Sequence, residues 1–346
     1  MADKCATIRD VAKYCGVSIA TVSRVVNSVD YPVSEETRKK VEKAVAELHF
    51  QPNVLGQYLQ RGETNDIGVI VPNLTDSYYV TLVEALYNAF IDSNCNVALY
   101  ISYRNPSYEE QLYRLLLQKR VKAIIVVPTQ VDPKWLHEER ADPIPVVVIG
   151  QDGFSKCHCV RVDYFEGGYE AGKYLLELGH RNIAVVGQSL STINRRQRYE
   201  GFLKAIGEAE IQIPHSKLCL TDHERTDDRT SQFNKGVILG DRLFNSSDPP
   251  TAIFVTSDNM ALGVMQAVHF RNISVPEQVS IMGFGNDAAS GMVYPGLSTV
   301  NPCAYAVAQS AAEFLLANFT RDGMQPASVC ITPLLTLRQS TGPATL

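Results

Sequence analysis

The sequence predicts a small all-α segment at the N-terminus followed by a larger α/β region with parallel strands. Its 346 residues exceed a single small module, because a domain takes about 150 residues on average. The first 50 residues show helical spacing of apolar residues. From Ile67 onward, short apolar runs alternate with helical stretches, which is the pattern of repeated βα units.

Three short helices account for the N-terminal segment. Thr7 starts the first as its N-cap, with Asp10 completing a capping box, and Gly16 ends it. Ser18 caps the second helix and Ser34 the third. The apolar positions recur with helical spacing: Ile8, Val11 and Ala12; Val22, Val25 and Val26; Val41, Val45 and Leu48. These positions predict a minimal three-helix core.

The remaining sequence alternates buried strands with helices. Seven continuously hydrophobic runs predict strands that are buried on both faces: 67–71, 96–101, 122–127, 145–150, 182–187, 251–256 and 279–285. Helical patterns lie between them: 79–93, 108–120, 166–179, 196–210 and 258–271. This alternation predicts either one large parallel sheet or two smaller ones. Ligands of such sheets bind at the carboxyl ends of the strands.

Composition excludes several classes of protein. Hydrophobic residues make up 45% of the chain and charged residues 20%, which are globular values. No apolar run reaches the roughly 18 residues of a membrane span, and a polar N-terminus predicts a cytoplasmic protein. The eight cysteines lack CxxC spacing and are expected as free thiols. Cys157-His158-Cys159 is at most half a metal site, so neither a metal nor a cofactor is expected.

Net charge taken over the whole chain argues against nucleic-acid binding, since it is −5. The charge is unevenly distributed, however. Residues 1–62 carry 9 Lys and Arg against 7 Asp and Glu, whereas residues 63–346 carry 23 against 30. Only the N-terminal segment is mildly basic.

The most informative local motif is TIRDVAKYCGVSIATVSRVVN, residues 7–27. Two short helices joined by a tight turn at Gly16 have the form of a helix-turn-helix, whose second helix lies in the major groove of DNA. Arg24 on that helix can donate two hydrogen bonds to guanine. The other candidate DNA contacts are apolar at Ile19 and Ala20 and small and polar at Ser18, Thr21, Ser23 and Asn27. A helical hairpin with an exposed arginine remains the alternative on this pattern alone.

This motif, followed by VSEETRKKVEKAVAELHFQPN (33–53), resembles the DNA-binding headpiece of the lactose/galactose repressor (LacI/GalR) family of bacterial transcription factors. The resemblance continues in order through NDIGVIVP (65–72), VDYFEGGYEAGKYLLELGHRNIAVVG (162–187), RYEGF (198–202), PTAIFVTSDNMALGVMQAV (250–268), VSIMGFG (279–285), LSTVNP (297–302) and RQSTGP (338–343). It therefore covers nearly the whole chain.

The resemblance implies a helix-turn-helix headpiece over 1–51, a hinge helix over 52–62, and a core over 63–346. The core is expected to resemble periplasmic binding proteins, with two parallel-sheet subdomains. We expect one subdomain to comprise 63–162 with 292–321, and the other 163–291 with 322–346. The implied effector is a small molecule, a sugar or sugar derivative, bound between them.

Further DNA contacts follow from the resemblance in the hinge. Asn53 and Leu59 match DNA-contacting positions, and a leucine such as Leu59 can wedge into the minor groove and bend the duplex. Gly56 stands where the family usually has alanine. Because glycine costs about 0.8 to 1 kcal/mol relative to alanine inside a helix, we expect this hinge to fold reluctantly.

Effector contacts also follow from the resemblance. The positions implied are Asp76, Tyr78, Tyr79, Arg198, Ser257, Asp258 and Asn286. Tyr78 and Tyr79 offer aromatic faces to a ring, while Arg198 and Asp258 suit ligand hydroxyls. Gly150, Ser257 and the pair Gly285-Asn286 depart from the family pattern and remove carboxylate or amide groups. These departures leave open whether the pocket is larger or binds its ligand with lower affinity.

Three classes of function remain to be distinguished. The first is a transcriptional regulator, implied to be a repressor, that binds a pseudo-palindromic operator as a homodimer. The second is an α/β enzyme, opposed by the lack of GxGxxG after the first strand and of GxxxxGK[ST], HExxH and GxSxG motifs. The third is a sugar receptor without DNA function, opposed by the headpiece and the missing signal sequence. No leucine heptads follow the last strand, which favours a dimer over a tetramer.

Overall fold

A computed structural model describes residues 6–26, 33–50, 64–138, 144–221, 229–319 and 326–345. The chain divides into two compact units, Met1–Thr64 and Asn65–Leu346. Among the described residues, no helix is long and apolar enough to cross a membrane. In the same residues, no group of three or more His, Cys, Asp or Glu side chains could hold a metal ion.

The first unit contains the three predicted helices, α1 (Ile8–Cys15), α2 (Ile19–Val26) and α3 (Glu35–Glu47). Thr7 and Asp10 form the predicted capping box, and Gly16 ends α1 in the left-handed conformation at φ 64°. The core of the unit is apolar and draws on all three helices: Val11, Ala12, Cys15, Val22, Val25, Val41, Ala44 and Phe50. Residues 51–63, which include Asn53, Gly56 and Leu59, lie outside the described residues.

The second unit contains two six-stranded sheets rather than one large sheet. The strands are β1 (Asp66–Val71), β2 (Asn96–Ile101), β3 (Ala123–Val126), β4 (Val146–Ile149), β5 (His158–Val162), β6 (Ile183–Gly187), β7 (Leu218–Leu220), β8 (Ala252–Val255), β9 (Ser280–Phe284), β10 (Ser298–Asn301), β11 (Ser328–Ile331) and β12 (Leu334–Thr336). Sheet 1 has the order β11-β5-β4-β3-β1-β2, and sheet 2 the order β12-β10-β9-β8-β6-β7. All pairs are parallel except β10 with β12.

Helices cover both faces of each sheet. In chain order they are α4 (Ser77–Phe90), α5 (Pro106–Gln118), α6 (Tyr164–Glu177), α7 (Ile193–Glu208), α8 (Arg229–Phe244), α9 (Asp258–Phe270), α10 (Ala288–Met292) and α11 (Ala304–Asn318). Helices α4 and α11 share one face of sheet 1, and α5 packs on the other. Helices α6 and α7 cover one face of sheet 2, while α8 and α9 cover the opposite face.

The limits of the two subdomains differ from those we expected. Residues 298–301 were assigned to the first subdomain, but β10 pairs with β9 in sheet 2. Residues 328–331 were assigned to the second subdomain, but β11 pairs with β5 in sheet 1. The chain therefore passes between the sheets after β5, after β10 and after β11, because strand pairing, rather than sequence order, decides which sheet each segment completes.

Candidate functional site

Helix α2 carries the candidate DNA contacts of the first unit. Val22 and Val25 point into the three-helix core, so the opposite side of the helix faces outward. Ser18, Ile19 and Ala20 are exposed there, and Thr21, Ser23 and Arg24 are half-buried. Ile19 keeps 45% of its surface exposed, which leaves an isoleucine at the start of the helix available for apolar contact. Asn27 lies outside the described residues.

Two of these candidate contacts also cap the helix. The Ser18 hydroxyl accepts a hydrogen bond from the Thr21 backbone N–H at 3.1 Å and lies 2.8 Å from the Thr21 hydroxyl. Because the first turn of a helix leaves backbone N–H groups unpaired, this bond fixes where α2 begins. The cap therefore holds the exposed positions Ile19 and Ala20 at the tip of the helix.

A cleft lies between the two sheets of the second unit. Residues at the carboxyl ends of strands from both sheets line it: Pro72, Val127, Gly150, Gln188, Ser257, Gly285 and Pro302. The empty space amounts to about 1090 Å³ when its open mouth is included. Open α/β sheets bind their ligands at the carboxyl ends of the strands, which is where this cleft lies.

Aromatic rings form the apolar part of the cleft. Tyr78 and Tyr79, at the start of α4, meet edge to face with ring centroids 5.5 Å apart. Phe284 and Tyr164 come from the opposite subdomain and also line the cleft. Burial raises the pKa of Tyr78 and Tyr79, so both phenols stay neutral. The aromatic faces suit a ligand ring that stacks on them, and the tyrosine hydroxyls can hydrogen-bond to polar groups at the edge of that ring.

Arg198 lies against these rings. Its guanidinium carbon is 4.0 Å from the centroid of Phe284 and 4.6 Å from that of Tyr164. One guanidinium N–H donates to the backbone carbonyl of Thr256 at 3.0 Å, and the guanidinium lies near the Tyr164 hydroxyl. The Nε atom is buried and has no hydrogen-bond partner among the described residues. A bound ligand can supply that missing acceptor.

Asp258 lines the cleft, but its carboxylate is already occupied. It is 1% exposed and accepts hydrogen bonds from the hydroxyls of Thr299 at 2.6 Å and Ser290 at 2.7 Å. A third bond comes from the backbone N–H of Asp287 at 2.9 Å. Asp258 therefore joins α9 to β10 and α10, and it shapes the cleft wall more than it offers a free acceptor.

Asp287 is a cleft residue that sequence reasoning missed. Burial, followed by the nearby carboxylates of Asp258 and Asp76, raises the pKa of Asp287 to about 7. Its carboxyl group lies near Ser77, which belongs to the opposite subdomain. Its position just after the buried strand β9 was a usable signal, because strand ends form the site in this architecture.

Two pairs of side chains approach each other across the cleft. Ser77 lies near the Asp287 carboxyl group, and the Tyr78 hydroxyl lies near that of Tyr164. Both pairs bring the start of α4 close to the opposite subdomain.

Two expected effector residues have other partners. Ser257 lines the cleft, but its hydroxyl caps α9 through the Met260 N–H and donates to Gln232 at 3.0 Å. Asn286 is not among the described residues that line the cleft, although Gly285 and Asp287 on either side of it are, and its effector contact stays a prediction. Its side-chain carbonyl accepts a hydrogen bond from Arg338 at 2.8 Å, and its backbone adopts a left-handed φ of 54°.

Two further arginines line the cleft without having been predicted. Arg104 follows β2 on the side of sheet 1, and Arg195 lies on α7 on the side of sheet 2. Arg195 is buried, with 7% of its surface exposed. Arg104 and the preceding Tyr103 both have positive φ, 55° and 53°. Nothing in the sequence marks this turn, because neither residue favours that conformation.

Glycines bring α6 and α7 into close contact and thereby fix Arg198. A Cβ atom on Gly168 would lie 2.1 Å from the backbone oxygen of Arg198, and one on Gly201 would lie 1.9 Å from that of Phe165. No side chain larger than hydrogen fits at these distances. The register of α7, and with it the position of Arg198 in the cleft, depends on this crossing.

Comparison with known proteins agrees with the two-unit arrangement. Residues 7–53 match the model for bacterial regulatory proteins of the lacI family, and residues 173–341 match the periplasmic binding protein-like domain. Catabolite control protein A of Priestia megaterium is 31% identical over 337 residues, which are 97% of this chain and 99% of that protein.

Two solved structures are similar along most of the chain. The lac repressor dimer bound to operator and the anti-inducer ONPF has a TM-score of 0.85 and 26% identity, and the match covers 98% of this chain and 100% of that one. A LacI family regulator from Enterococcus faecium with bound ribose has a TM-score of 0.68 and 26% identity, covering 81% of this chain and all of the other.

Proposed function

The chain belongs to the LacI family of DNA-binding bacterial transcriptional regulators, and we propose that it is a repressor whose affinity for its operator is set by a sugar in the cleft. The observation that carries this proposal is the cleft of the second unit. Aromatic rings, arginines and hydroxyls from both subdomains meet there. A site of that composition suits a ring bearing several hydroxyl groups.

The DNA contact we propose is the outward face of α2. Arg24 supplies the base-reading guanidinium, Ile19 and Ala20 contact thymine methyl groups, and Ser18, Thr21 and Ser23 lie near phosphates. Asn27, Asn53 and Leu59 belong to the same proposal on the family resemblance alone. Because a two-fold dimer presents two such helices, the operator is a pseudo-palindrome.

The exposed face of α4 and its C-terminal end supports a homodimer. Val80, Tyr87 and Ile91 have 45%, 47% and 76% of their surfaces exposed. They recur at intervals of seven and four residues, so they share one side of the helix. Exposed apolar side chains on one side of a helix are typical of a protein contact, and the exposed Glu84 lies among them. We propose that a second copy of the chain covers it, in the cytoplasm where the DNA lies.

The sugar proposal draws on Arg198, Tyr78 and Tyr79, and on the ribose bound by the related Enterococcus faecium regulator. Ligand binding between the walls changes how firmly they close. By linkage, a sugar that alters operator affinity has its own affinity altered by the operator to the same extent. Proteins similar to this chain are regulators, and we propose binding without turnover.

The experiment that tests this function has two parts. Selection from a random-sequence duplex library with the purified full-length protein should enrich a pseudo-palindromic site. A thermal-shift screen of mono- and disaccharides, nucleosides and sugar phosphates should then find a ligand that raises the melting temperature and changes operator affinity. Enrichment of no DNA sequence would contradict the repressor function. Ligands that bind without changing operator affinity would contradict the allosteric control.

A further inference from the structure

We propose that Glu109 is a positioning residue for the effector, because its carboxylate holds the two loops through which sheet 1 forms its wall of the cleft. Glu109 is 1% exposed and is not among the described residues that line the cleft. The inference rests on the proposed function, since it concerns the same cleft. It goes further in naming a residue that controls sugar affinity without touching the sugar.

The carboxylate of Glu109 accepts hydrogen bonds from two different loops. The Thr129 backbone nitrogen lies 3.1 Å from Oε1 and 3.3 Å from Oε2. The Ser102 hydroxyl donates to Oε2 at 3.1 Å. Thr129 follows β3 and Ser102 follows β2, the two strands that flank β1 in sheet 1. One side chain of α5 therefore joins the ends of β2 and β3 across the end of β1.

The two loops carry residues of the cleft wall. Those that line the cleft are Pro128, Thr129 and Val131 after β3, and Arg104 after β2. Because Glu109 binds Thr129 through the backbone N–H, it fixes the path of the loop rather than one side chain. A shift of this loop would move several lining residues together relative to a bound ring.

The turn that carries Arg104 depends on the same carboxylate. Tyr103 and Arg104 have left-handed φ values of 53° and 55°, which residues other than glycine rarely adopt. Such a conformation persists where its surroundings determine it. Ser102 anchors the start of the turn through its hydroxyl to Glu109 and through its N–H to the Val71 carbonyl at 2.9 Å. Loss of the carboxylate removes one of these two anchors.

Glu109 remains a buried acid at a cost in stability. Burial raises its pKa above the ordinary value, and the hydrogen bonds from Thr129 and Ser102 oppose that rise. No cation among the described residues pairs with it, whereas the next residue, Glu110, pairs with Arg114. A buried charge without a counter-ion destabilises a protein. What this carboxylate provides is the fixed position of two cleft loops.

Two substitutions of equal chain length test the inference on the full-length protein. Glu109→Met fills the same space without an acceptor. Glu109→Gln keeps an amide oxygen for the Thr129 N–H, and the Ser102 hydroxyl can then turn to the Val71 carbonyl, 3.5 Å away. A side chain that only fills space would tolerate both changes. Recovery of sugar affinity by glutamine, but not by methionine, therefore identifies the hydrogen bonds as the cause.

Calorimetry with ribose, glucose, galactose and cellobiose gives the readout. We expect at least one of these sugars to bind the parent protein. Glu109→Met should lower that affinity about tenfold, the effect of a buried donor left without a partner. Glu109→Gln should stay within about threefold of the parent. Melting temperatures without sugar verify that both variants fold.

Two further variants complete the test. Glu177→Met is the matched control, because Glu177 is an exposed glutamate near the end of a helix and is not among the described residues of the cleft; it should keep the full sugar affinity. Ser102→Ala removes a single donor and serves if Glu109→Met does not fold. It should weaken sugar binding about threefold and should add nothing in the Glu109→Met background.

Three results would overturn the inference: a Glu109→Met variant with the sugar affinity of the parent, equal losses in Glu109→Met and Glu109→Gln, or a folded Ser102→Ala variant with unchanged affinity. These results differ from a failure of the proposed function. If a sugar changes operator affinity in the parent and in Glu109→Met alike, the sugar-controlled repressor stands and only the role of Glu109 is wrong. If none of the four sugars binds the parent, both proposals fail.

Discussion

Replacing Asp287 with asparagine removes a carboxyl group whose ionisation is disfavoured by its buried position. Its pKa rises from 3.8 to about 7, chiefly through burial and then through the charges of Asp258 and Asp76. Asparagine keeps the size and one side-chain oxygen but cannot become charged. The variant therefore tests the electrostatic cost of this position with little change in shape.

The magnitude follows from the size of the shift. The pKa rises by roughly three units, and each unit is about 1.36 kcal/mol, so the ionised group destabilises the folded state by about 4 kcal/mol at most. The pKa of Asp287 is higher in the folded protein than in the unfolded chain. Its protonated form therefore contributes its full stabilisation of the folded state below about pH 4. It is lost as the pH rises through about 7, with about 2.5 kcal/mol of the loss between pH 5 and pH 8.

Urea unfolding at pH 5 and pH 8 measures this effect. Asp287→Asn should be more stable than the parent at pH 8, and its advantage should be smaller at pH 5. Asp92→Asn, at an exposed position outside the cleft, serves as the control for removing one negative charge. An advantage for Asp287→Asn that is equal at the two pH values, or a variant less stable than the parent at pH 8, would refute the reasoning.

Three further substitutions give distinct outcomes. Gly168→Ala forces α6 away from α7 and should cost about 1–3 kcal/mol of stability and weaken effector binding, as measured by chemical unfolding and calorimetry. Arg198→Met should weaken effector binding at least tenfold in calorimetry while operator affinity stays unchanged, because the cation over Phe284 is lost. Arg24→Ala should cost about 1–3 kcal/mol at one operator base pair, as measured by binding to a set of single-base operator variants.

Each of these variants has a control or a contrary result. Gly207→Ala is the control for Gly168→Ala. Gly207 lies on the same helix as Arg198, and a Cβ atom added there would have no other atom within 4 Å. The variant should therefore leave stability unchanged or raise it by up to about 1 kcal/mol. A loss equal to that of Gly168→Ala would show that crowding is not the cause. Effector response that survives Arg198→Met would remove that residue from the site. Equal losses on all operator variants would show that Arg24 contacts only phosphate.

The seven strands predicted from continuous apolar runs are all present, because strands buried on both faces need such runs. The strands that were missed are mostly polar or half-exposed. His158 and Arg161 interrupt β5, and β11 is a half-exposed edge strand. Assignment of β10 and β11 to their sheets could not be predicted, since it depends on pairing with strands distant in the chain.

Part of the candidate site could be predicted from the sequence, and the rest depends on contacts between segments that are distant in the chain. Tyr78, Tyr79 and Arg198 line the cleft where the resemblance implied. The role expected for Asp258 changes because its hydrogen bonds come from Ser290 and Thr299, which no local pattern connects to it. Arg104 was missed because its turn uses a conformation that the sequence does not signal.

The passage of the chain between the sheets governs the order in which the protein can assemble during synthesis. Sheet 1 begins with β1, yet the helix that covers one of its faces, α11, spans residues 304–318. Its apolar side chains Val307, Ala308, Ala311 and Leu315 belong to the same core as α4. A nascent chain released before α11 would expose that face to water. The first subdomain to be translated is therefore completed only after the strands of sheet 2 from β6 to β10 have emerged, and a chain truncated near residue 303 should aggregate.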